Sequence, residues 1–332
     1  MGITTYGYQP TIITAHHRVV EVLVMTKHNI RLVGSAAKGT RISAVTLREL
    51  LAVLVDGCNQ ALRLRTEGRS VARGTDPAWL STAADFEIVE FSTGSTVVTI
   101  ESPAVVEAAP EKFAQQDIFW KNMDVQKSAF QMFEDTLSDA ISGKADSELF
   151  DEALLSTCAR LSTVFARGID DIHITNGTAL SPVVSIAPAQ IEQIAKLRKQ
   201  TPHPRMAKVS GKMDMIRHSD KGFELILDSG DTIRGIAQDC HAENLPAFYG
   251  NRVLVSGKVV FRPSGSILRI EASKIEHVEE TPGLWNKAPK PITSRFDVRD
   301  VHRPQTSKSG MSKVFGAWPG DESDEEIERL LG

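Results

Sequence analysis

The side chains that could carry chemistry are scattered, and the motifs that resemble active sites each lack a required residue. Residues 34–40 have the glycine spacing of a phosphate-binding loop, but Thr40 and Arg41 follow the second glycine where such loops need a lysine. His16 and His17 are adjacent, so on a helix their rings cannot share one face and bind one metal. We therefore interpret residues 34–40 as a turn between a strand and a helix.

The remaining candidate ligands do not have the spacing of a metal site. Asp239, Cys240 and His241 are consecutive, and a zinc site would need a second, spaced pair of ligands. Asp170 and Asp171 suit a turn or the start of a strand. No dinucleotide-binding glycine motif follows a predicted strand, and no nucleophile elbow is present. The sequence thus predicts no enzyme, no catalytic residue, no bound metal and no cofactor.

Composition and charge exclude several classes of protein. At 332 residues the chain has room for about two domains of ordinary size. A net charge of −4 argues against bulk electrostatic binding to nucleic acid or to anionic membranes. The three cysteines Cys58, Cys158 and Cys240 are far apart and form no disulfide framework. No signal peptide is evident and the apolar run 19–25 is too short to span a bilayer, so we expect a cytoplasmic protein without membrane contact.

Apolar periodicity predicts an α+β domain over residues 1–200. Residues 18–34 and 85–101 have strand character, with the clusters of the first run broken at residues 27–29. Between them, leucines at three- and four-residue spacing predict a long helix that ends at Gly68. Further patterns predict helices from Asp124 to residue 141 and from residue 147 to 168, a strand at 172–175 and a helix opened by Pro188. We expect these helices to pack on an antiparallel sheet.

The periodicity changes from helical to alternating after the prolines at 202 and 204. Residues 205–280 read as five short strands at 208–217, 222–227, 232–237, 252–261 and 267–278, with a longer connection at 238–250. This pattern predicts a small, five-stranded, OB-like β-barrel, a class that often binds single-stranded nucleic acid. The basic residues that would form such an interface are Lys212, Arg234, Lys258, Arg262 and Arg269.

The last fifty residues change character twice. Residues 281–312 are rich in proline and carry a surplus of basic residues, which predicts a mostly disordered linker. Residues 313–332 invert the charge and end in an acidic segment. Within it, Pro319 and Gly320 separate an aromatic pair, Phe315 and Trp318, from a short helix that Ser323 would cap.

This C-terminal helix is too short to be stable alone, so its apolar side chains need a surface to cover them. Ile327, Leu330 and Leu331 would lie on one side of it, and aromatic anchors such as Trp318 dominate many interfaces. Residues 313–332 are therefore predicted to bind a partner. Folding back onto the protein's own body is the alternative.

The tail also resembles a known class of protein segment. The string Phe315-Gly-Ala-Trp-Pro-Gly-Asp-Glu-Ser-Asp-Glu-Glu-Ile is similar to the C-terminal toxin-binding tails of antitoxins paired with PIN-domain ribonuclease toxins. Residues 18–101 resemble uncharacterised bacterial α+β proteins, which implies no activity. The chain departs from the usual small antitoxin, because a large two-domain body replaces the short DNA-binding module.

The resemblance implies a mechanism in which the tail masks a small toxin. Phe315 and Trp318 would fill apolar pockets of the toxin, and Pro319 would lie in the turn that follows them. The apolar stripe of the helix would fill a groove. Arg329 would pair with acidic catalytic residues of the partner. The sequence thus favours a non-enzymatic, antitoxin-like interaction protein that binds and restrains a small partner through its tail, and the resemblance implies that this partner is a PIN-domain toxin. A nucleic-acid-binding protein that acts through the barrel is the alternative.

Overall fold

The structure, a computed structural model, describes residues 25–92, 96–113, 123–177, 183–217, 221–237, 240, 242–278, 285–292 and 329. The predicted strand segment 18–24 and almost all of the tail lie outside these residues. Chain contacts divide the protein into two units, residues 1–291 and residues 292–332. All the elements described below belong to the first unit, which contains two separate apolar cores.

The first core is covered by an antiparallel five-stranded sheet. Its strands are β1 (Met25–Val33), β2 (Glu87–Ser92), β3 (Thr96–Pro103), β4 (Asp171–Asn176) and β5 (Val184–Ile186), in the spatial order β2-β3-β1-β4-β5. Alternate residues of β1 point into the core, among them Ile30 and Leu32, which are fully buried. Residues 27–29 interrupt the apolar clusters, but β1 continues through them and buries His28 on the same face as Ile30.

Eight helices are seen in the described part of the chain. They are α1 (Ala44–Glu67), α2 (Ala78–Ala84), α3 (Val105–Ala108), α4 (Pro110–Phe113), α5 (Ala129–Ile141), α6 (Glu152–Ala159), α7 (Ser162–Phe165) and α8 (Pro188–Gln200). The long α1 follows an extended Ser43 and ends at Gly68, whose left-handed φ of 74° lets its N–H bond the Leu64 carbonyl. Helices and antiparallel sheet together confirm the α+β class.

Helices α1 and α5 pack closely because α1 has a glycine at their contact. A Cβ atom on Gly57 would overlap the ring of Phe133, so the missing side chain makes room for the aromatic ring. Phe133 is completely buried, as are Phe130 on the same helix and Phe150 in the loop before α6. Phe133 thus packs between the two helices, and Phe130 also contacts the ring of His28 on β1.

Two predicted helix boundaries are corrected by the capping geometry. The helix predicted from Asp124 begins at Ala129, because Asp124 accepts from the Gln126 N–H in a turn and Ser128 forms the capping box with Gln131. The helix predicted over residues 147–168 is two shorter helices, α6 and α7. The side chain of Asp151 caps the first of them by accepting from the Leu154 N–H.

The second core is enclosed by a closed five-stranded barrel, as the alternating pattern predicts. Its strands are β6 (Arg205–Ile216), β7 (Gly222–Ile226), β8 (Thr232–Ile236), β9 (Arg252–Phe261) and β10 (Ile267–His277), in the order β10-β8-β7-β6-β9. Strands β8 and β10 are parallel, and the other neighbours are antiparallel. A 3₁₀ helix (Ala242–Phe248) lies in the long connection between β8 and β9.

The segment after the barrel returns to its surface. The Ser210 N–H of β6 donates to the carbonyl oxygen of Trp285 at 2.8 Å, and Lys208 Nζ lies 5.3 Å from the centre of the Trp285 ring. Trp285, which falls in the region predicted as a linker, is therefore attached to the barrel. Within the described residues, no helix is long and apolar enough to cross a membrane.

Candidate functional site

A buried ion pair joins the barrel to the helices of the α+β part. Arg269 of β10 donates from Nη1 to Oδ2 of Asp151 at 3.2 Å, and the two side chains are only 8% and 4% exposed. Arg269 also pairs through Nη2 with Glu271 at 3.0 Å. A buried charge pair requires additional hydrogen bonds to offset its desolvation, and this pair has them.

Asp151 is the centre of these hydrogen bonds. Its Oδ1 accepts from the Ser70 hydroxyl at 2.5 Å and from the Leu154 N–H at 3.2 Å, while Oδ2 also accepts from the Ser70 N–H at 3.2 Å. One carboxylate therefore holds together the loop after α1, the start of α6 and strand β10. We call the set Ser70, Asp151, Arg269 and Glu271 the junction cluster.

A cleft of about 440 Å³ opens beside the junction cluster. Its lining contains both basic and acidic side chains, among them Arg73, Lys258, Glu152 and Glu271. Lys258 Nζ lies 2.7 Å from Glu271 Oε2. Burial raises the pKa of Glu271, but the hydrogen bond and charge of Lys258 and the charge of Arg269 outweigh it, so this pKa lies below its usual value.

A second set of contacts joins the loop between β9 and β10 to residues 145–148. The two oxygens of Glu148 pair with Arg262 Nη2 at 2.9 Å and with Arg234 Nη1 at 2.8 Å. Asp146 accepts from the hydroxyls of Ser264 and Ser266 at 2.6 and 2.5 Å, and these hydrogen bonds hold the pKa of Asp146 below its usual value.

The basic residues predicted for a nucleic-acid interface are mostly paired with acidic residues of the same protein. Arg234, Lys258, Arg262 and Arg269 all form ion pairs with carboxylates of the same chain. Lys212 is exposed on β6, and within the described residues no ion pair involves it. The structure does not gather the five into one free basic surface.

The residues predicted to bind a partner lie almost entirely outside the described part of the chain. This holds for Phe315, Trp318, Pro319, Ile327, Leu330 and Leu331. Arg329 is described, and it is exposed and in helical conformation.

The loop with phosphate-loop spacing is occupied by its own contacts. The Ala36 N–H donates to the carbonyl oxygen of Gly168 at 3.0 Å, and the Lys38 N–H donates to that of Arg41 at 3.2 Å. A phosphate-binding loop instead turns such N–H groups toward its ligand. Gly34 itself packs against residues 168–170, where a Cβ atom would overlap the Gly168 carbonyl. The loop thus fastens β1 to the segment before β4.

A buried polar cluster was missed at the level of sequence. His28 of β1 and Glu134 of α5 are 0% and 2% exposed, with Nδ1 of the histidine 3.1 Å from Oε1 of the glutamate. The Asn176 amide, turned so that its nitrogen faces Glu134, donates to the same oxygen at 2.9 Å. The His28 ring also packs on Phe130, with ring centres 4.6 Å apart. The period-two position of His28 beside Ile30 is the signal that indicates its burial.

Of the predicted cysteine and metal features, Cys240 lies in the described region, whereas Asp239 and His241 do not. Among the residues that the structure describes, no group of three or more His, Cys, Asp or Glu side chains could hold a metal ion. Cys58 and Cys158 are buried thiols on α1 and α6. Comparison with protein-family models, with curated proteins and with solved structures finds no match to the chain.

Proposed function

We propose that the protein is a non-enzymatic, antitoxin-like interaction protein that binds and restrains a small partner through residues 313–332. The observation that carries the proposal is the order of features in this segment: an aromatic pair, a Pro-Gly turn, a capping serine and an amphipathic acidic end. The exposed, helical Arg329 fits a short docking helix in this position. The partner class that the resemblance implies is a PIN-domain ribonuclease.

The ion pairs within residues 1–291 support this proposal. The basic barrel residues neutralise carboxylates of the same chain, so they attach the barrel to the helical part. A body held together in this way suits a scaffold from which a C-terminal segment reaches a partner. Phe315 and Trp318 then supply the apolar anchors, and Ile327, Leu330 and Leu331 the helical stripe.

The alternative function rests on the strand order of the barrel. One parallel pair, β8 with β10, within an otherwise antiparallel closed ring is similar to the arrangement of OB-type barrels. Such barrels commonly bind oligonucleotides beside the loop between their last two strands. Here Arg262, Ser264 and Ser266 of that loop contact Asp146 and Glu148, which argues against an open nucleic-acid face.

Co-expression with the product of the adjacent gene tests the leading proposal. We expect the full-length chain to co-purify with that product and to suppress its ribonuclease activity, and we expect a chain ending at residue 312 to do neither. The double variant Phe315→Ala/Trp318→Ala should weaken the complex strongly, because it removes both aromatic anchors.

Tyr249→Ala provides the matched control, because Tyr249 is an aromatic residue of the barrel that is 62% exposed. It should leave the complex intact. Co-purification that survives removal of residues 313–332 contradicts the proposal. Salt-sensitive binding of the full-length protein to a single-stranded oligonucleotide, lost in Lys212→Glu, would instead favour the alternative.

A further inference from the structure

The edge strand β2 leaves apolar side chains exposed at the end of the first sheet. Ile88, Val89 and Phe91 are 40%, 42% and 39% exposed, although β2 has only six residues. β2 is the last strand in the sheet order, so among the described residues no strand pairs with its outer edge. An exposed, apolar strand edge is a template for pairing with another extended segment.

The opposite edge of the same sheet is protected. Strand β5 has three residues, and both of its apolar side chains, Val184 and Ile186, are 1% exposed. Short edge strands with covered side chains are the usual way in which proteins prevent pairing. The contrast indicates that the exposure of β2 is a particular property of this edge.

The register of β2 with β3 assigns its side chains to two chemically distinct faces. Residues directly opposite each other in an antiparallel pair lie on the same face of a sheet. Ile88 is opposite the buried Ile100, and Phe91 is opposite the buried Val98, so both belong to the core face. Glu87 and Glu90 are opposite Glu101 and Thr99 on the other face.

The second face of this edge is acidic. Glu87 and Glu90 are both exposed, and residues 85–92 contain no basic side chain. Glu101, next to Glu87, is paired with Lys27 at 3.4 Å, which leaves the carboxylates of β2 without a cation among the described residues. An incoming strand is therefore favoured when it brings positive charge to this face and apolar side chains to the other.

We propose that the outer edge of β2 is a docking site for an extended segment of a partner protein in which basic and apolar residues alternate. The basic side chains pair with Glu87 and Glu90, and the apolar ones cover Ile88 and Phe91. The β-bulge between Ile88 and Glu90 limits the regular pairing to a few residues. The proposal concerns residues 87–91 and does not rest on the function proposed for residues 313–332.

A second copy of the chain is a poor occupant on grounds of charge. If β2 paired with β2 of a second copy, Glu87 and Glu90 would lie beside Glu87 and Glu90 of that copy. Like charges directly opposite each other in a sheet are destabilising.

The test uses the full-length protein and two synthetic peptides, one alternating lysine with valine and the other alternating glutamate with valine. We expect the lysine peptide to bind more tightly, by fluorescence anisotropy, and to slow amide hydrogen exchange in residues 87–92. The variant Glu87→Lys/Glu90→Lys should bind the lysine peptide about tenfold more weakly and should prefer the glutamate peptide, because each cross-strand ion pair becomes a repulsion.

The control variant is Glu192→Lys, which changes an exposed carboxylate on α8 and should leave the peptide preference unchanged. Equal binding of both peptides, or no exchange protection at β2, overturns the proposal. Binding that occurs only after deletion of residues 1–24 would assign the edge to the protein's own N-terminal segment and also overturn it. A dimer in which amide hydrogen exchange is slowed at β2 would also overturn the proposal.

Discussion

Arg269 donates a hydrogen bond to Asp151 across 118 residues of sequence, and this contact joins a strand of the barrel to the residue that caps α6 in the α+β part. Both side chains are buried, so the pair is held by its hydrogen bonds as much as by its charge. The contact links the two cores of the first unit. Five predictions follow, some from this contact and the others from other buried features of the fold.

Loss of the Asp151 carboxylate should destabilise the protein strongly. We expect Asp151→Ala to lower the free energy of unfolding by about 3 kcal/mol, because it leaves Arg269 buried beside a single remaining partner and removes the cap of α6. The control is Glu148→Ala, which lies in the second set of contacts between the barrel and the helical part. Its side chain is 46% exposed, so we expect a loss below about 1 kcal/mol. Urea denaturation of the three proteins measures both values, and equal losses would contradict this account.

The junction should weaken in acid because of Glu271. Its folded pKa lies below the ordinary value of 4.5, so the stabilisation is present above pH 4.5 and is lost as the pH falls through the folded pKa. Glu271→Gln removes this titration. We therefore expect the stability of the variant to fall less steeply below pH 4.5 than that of the unmodified protein. Parallel urea curves recorded across the acidic range provide the comparison, and identical slopes would show that Glu271 does not contribute.

The buried pair of His28 and Glu134 gives a third prediction. His28→Ala should cost about 3 kcal/mol, because it removes a fully buried ring that packs on Phe130 and takes a hydrogen-bond partner from the buried Glu134. His173→Ala serves as the control on the same sheet. That histidine hydrogen-bonds Ser185 near the surface, and its loss should change stability by no more than about 0.5 kcal/mol. Thermal unfolding distinguishes the two variants.

The close contact of α1 and α5 gives a fourth prediction, which concerns overpacking. Gly57→Ala should destabilise by about 1–3 kcal/mol, because the new methyl group overlaps the Phe133 ring. Phe133→Leu, with its smaller side chain, should reduce the cost of Gly57→Ala when the two changes are combined. Additive losses in a double-mutant cycle would mean that the ring and the new methyl group do not meet.

Thiol reactivity should separate the cysteines. Burial raises the pKa of Cys158 to about 12 and that of Cys58 well above its usual value, so neither forms a reactive thiolate in the folded protein. Cys240 is only partly buried. Under mildly alkaline, native conditions we expect iodoacetamide to modify Cys240 first, and the other two only after unfolding. Mass spectrometry of the labelled protein shows the order, and early labelling of Cys58 would contradict the buried assignment.

The parts of the fold that were predicted well from sequence are those set by local pattern. The alternating residues of the barrel predict all five strands, and the bounds of β9 coincide with the predicted 252–261. Helix α1 likewise follows from its leucine spacing and from Gly68. In such segments the periodicity, the turn residues and the burial agree with one another.

The junction and the buried histidine could not be predicted in the same way, because they depend on contacts between distant segments. In sequence Asp151 falls inside a helix predicted from residue 147, and Arg269 is predicted as a basic residue of a nucleic-acid interface. Only the folded chain brings their charges together. His28 interrupts the apolar clusters of its strand in sequence, and its buried partner Glu134 lies 106 residues later. Charged residues therefore mislead a sequence-based search for a binding surface when their partners lie within the same protein.

The last strand of the barrel has a consequence for the order of events during synthesis. β10 is paired on one side with β8 and on the other with β9, so the ring cannot close until residue 277 has left the ribosome. The same strand carries Arg269, whose partner Asp151 has been synthesised more than a hundred residues earlier. Closure of the barrel and formation of the buried Arg269–Asp151 pair are thus both late steps, and a nascent chain that stops short of β10 completes neither.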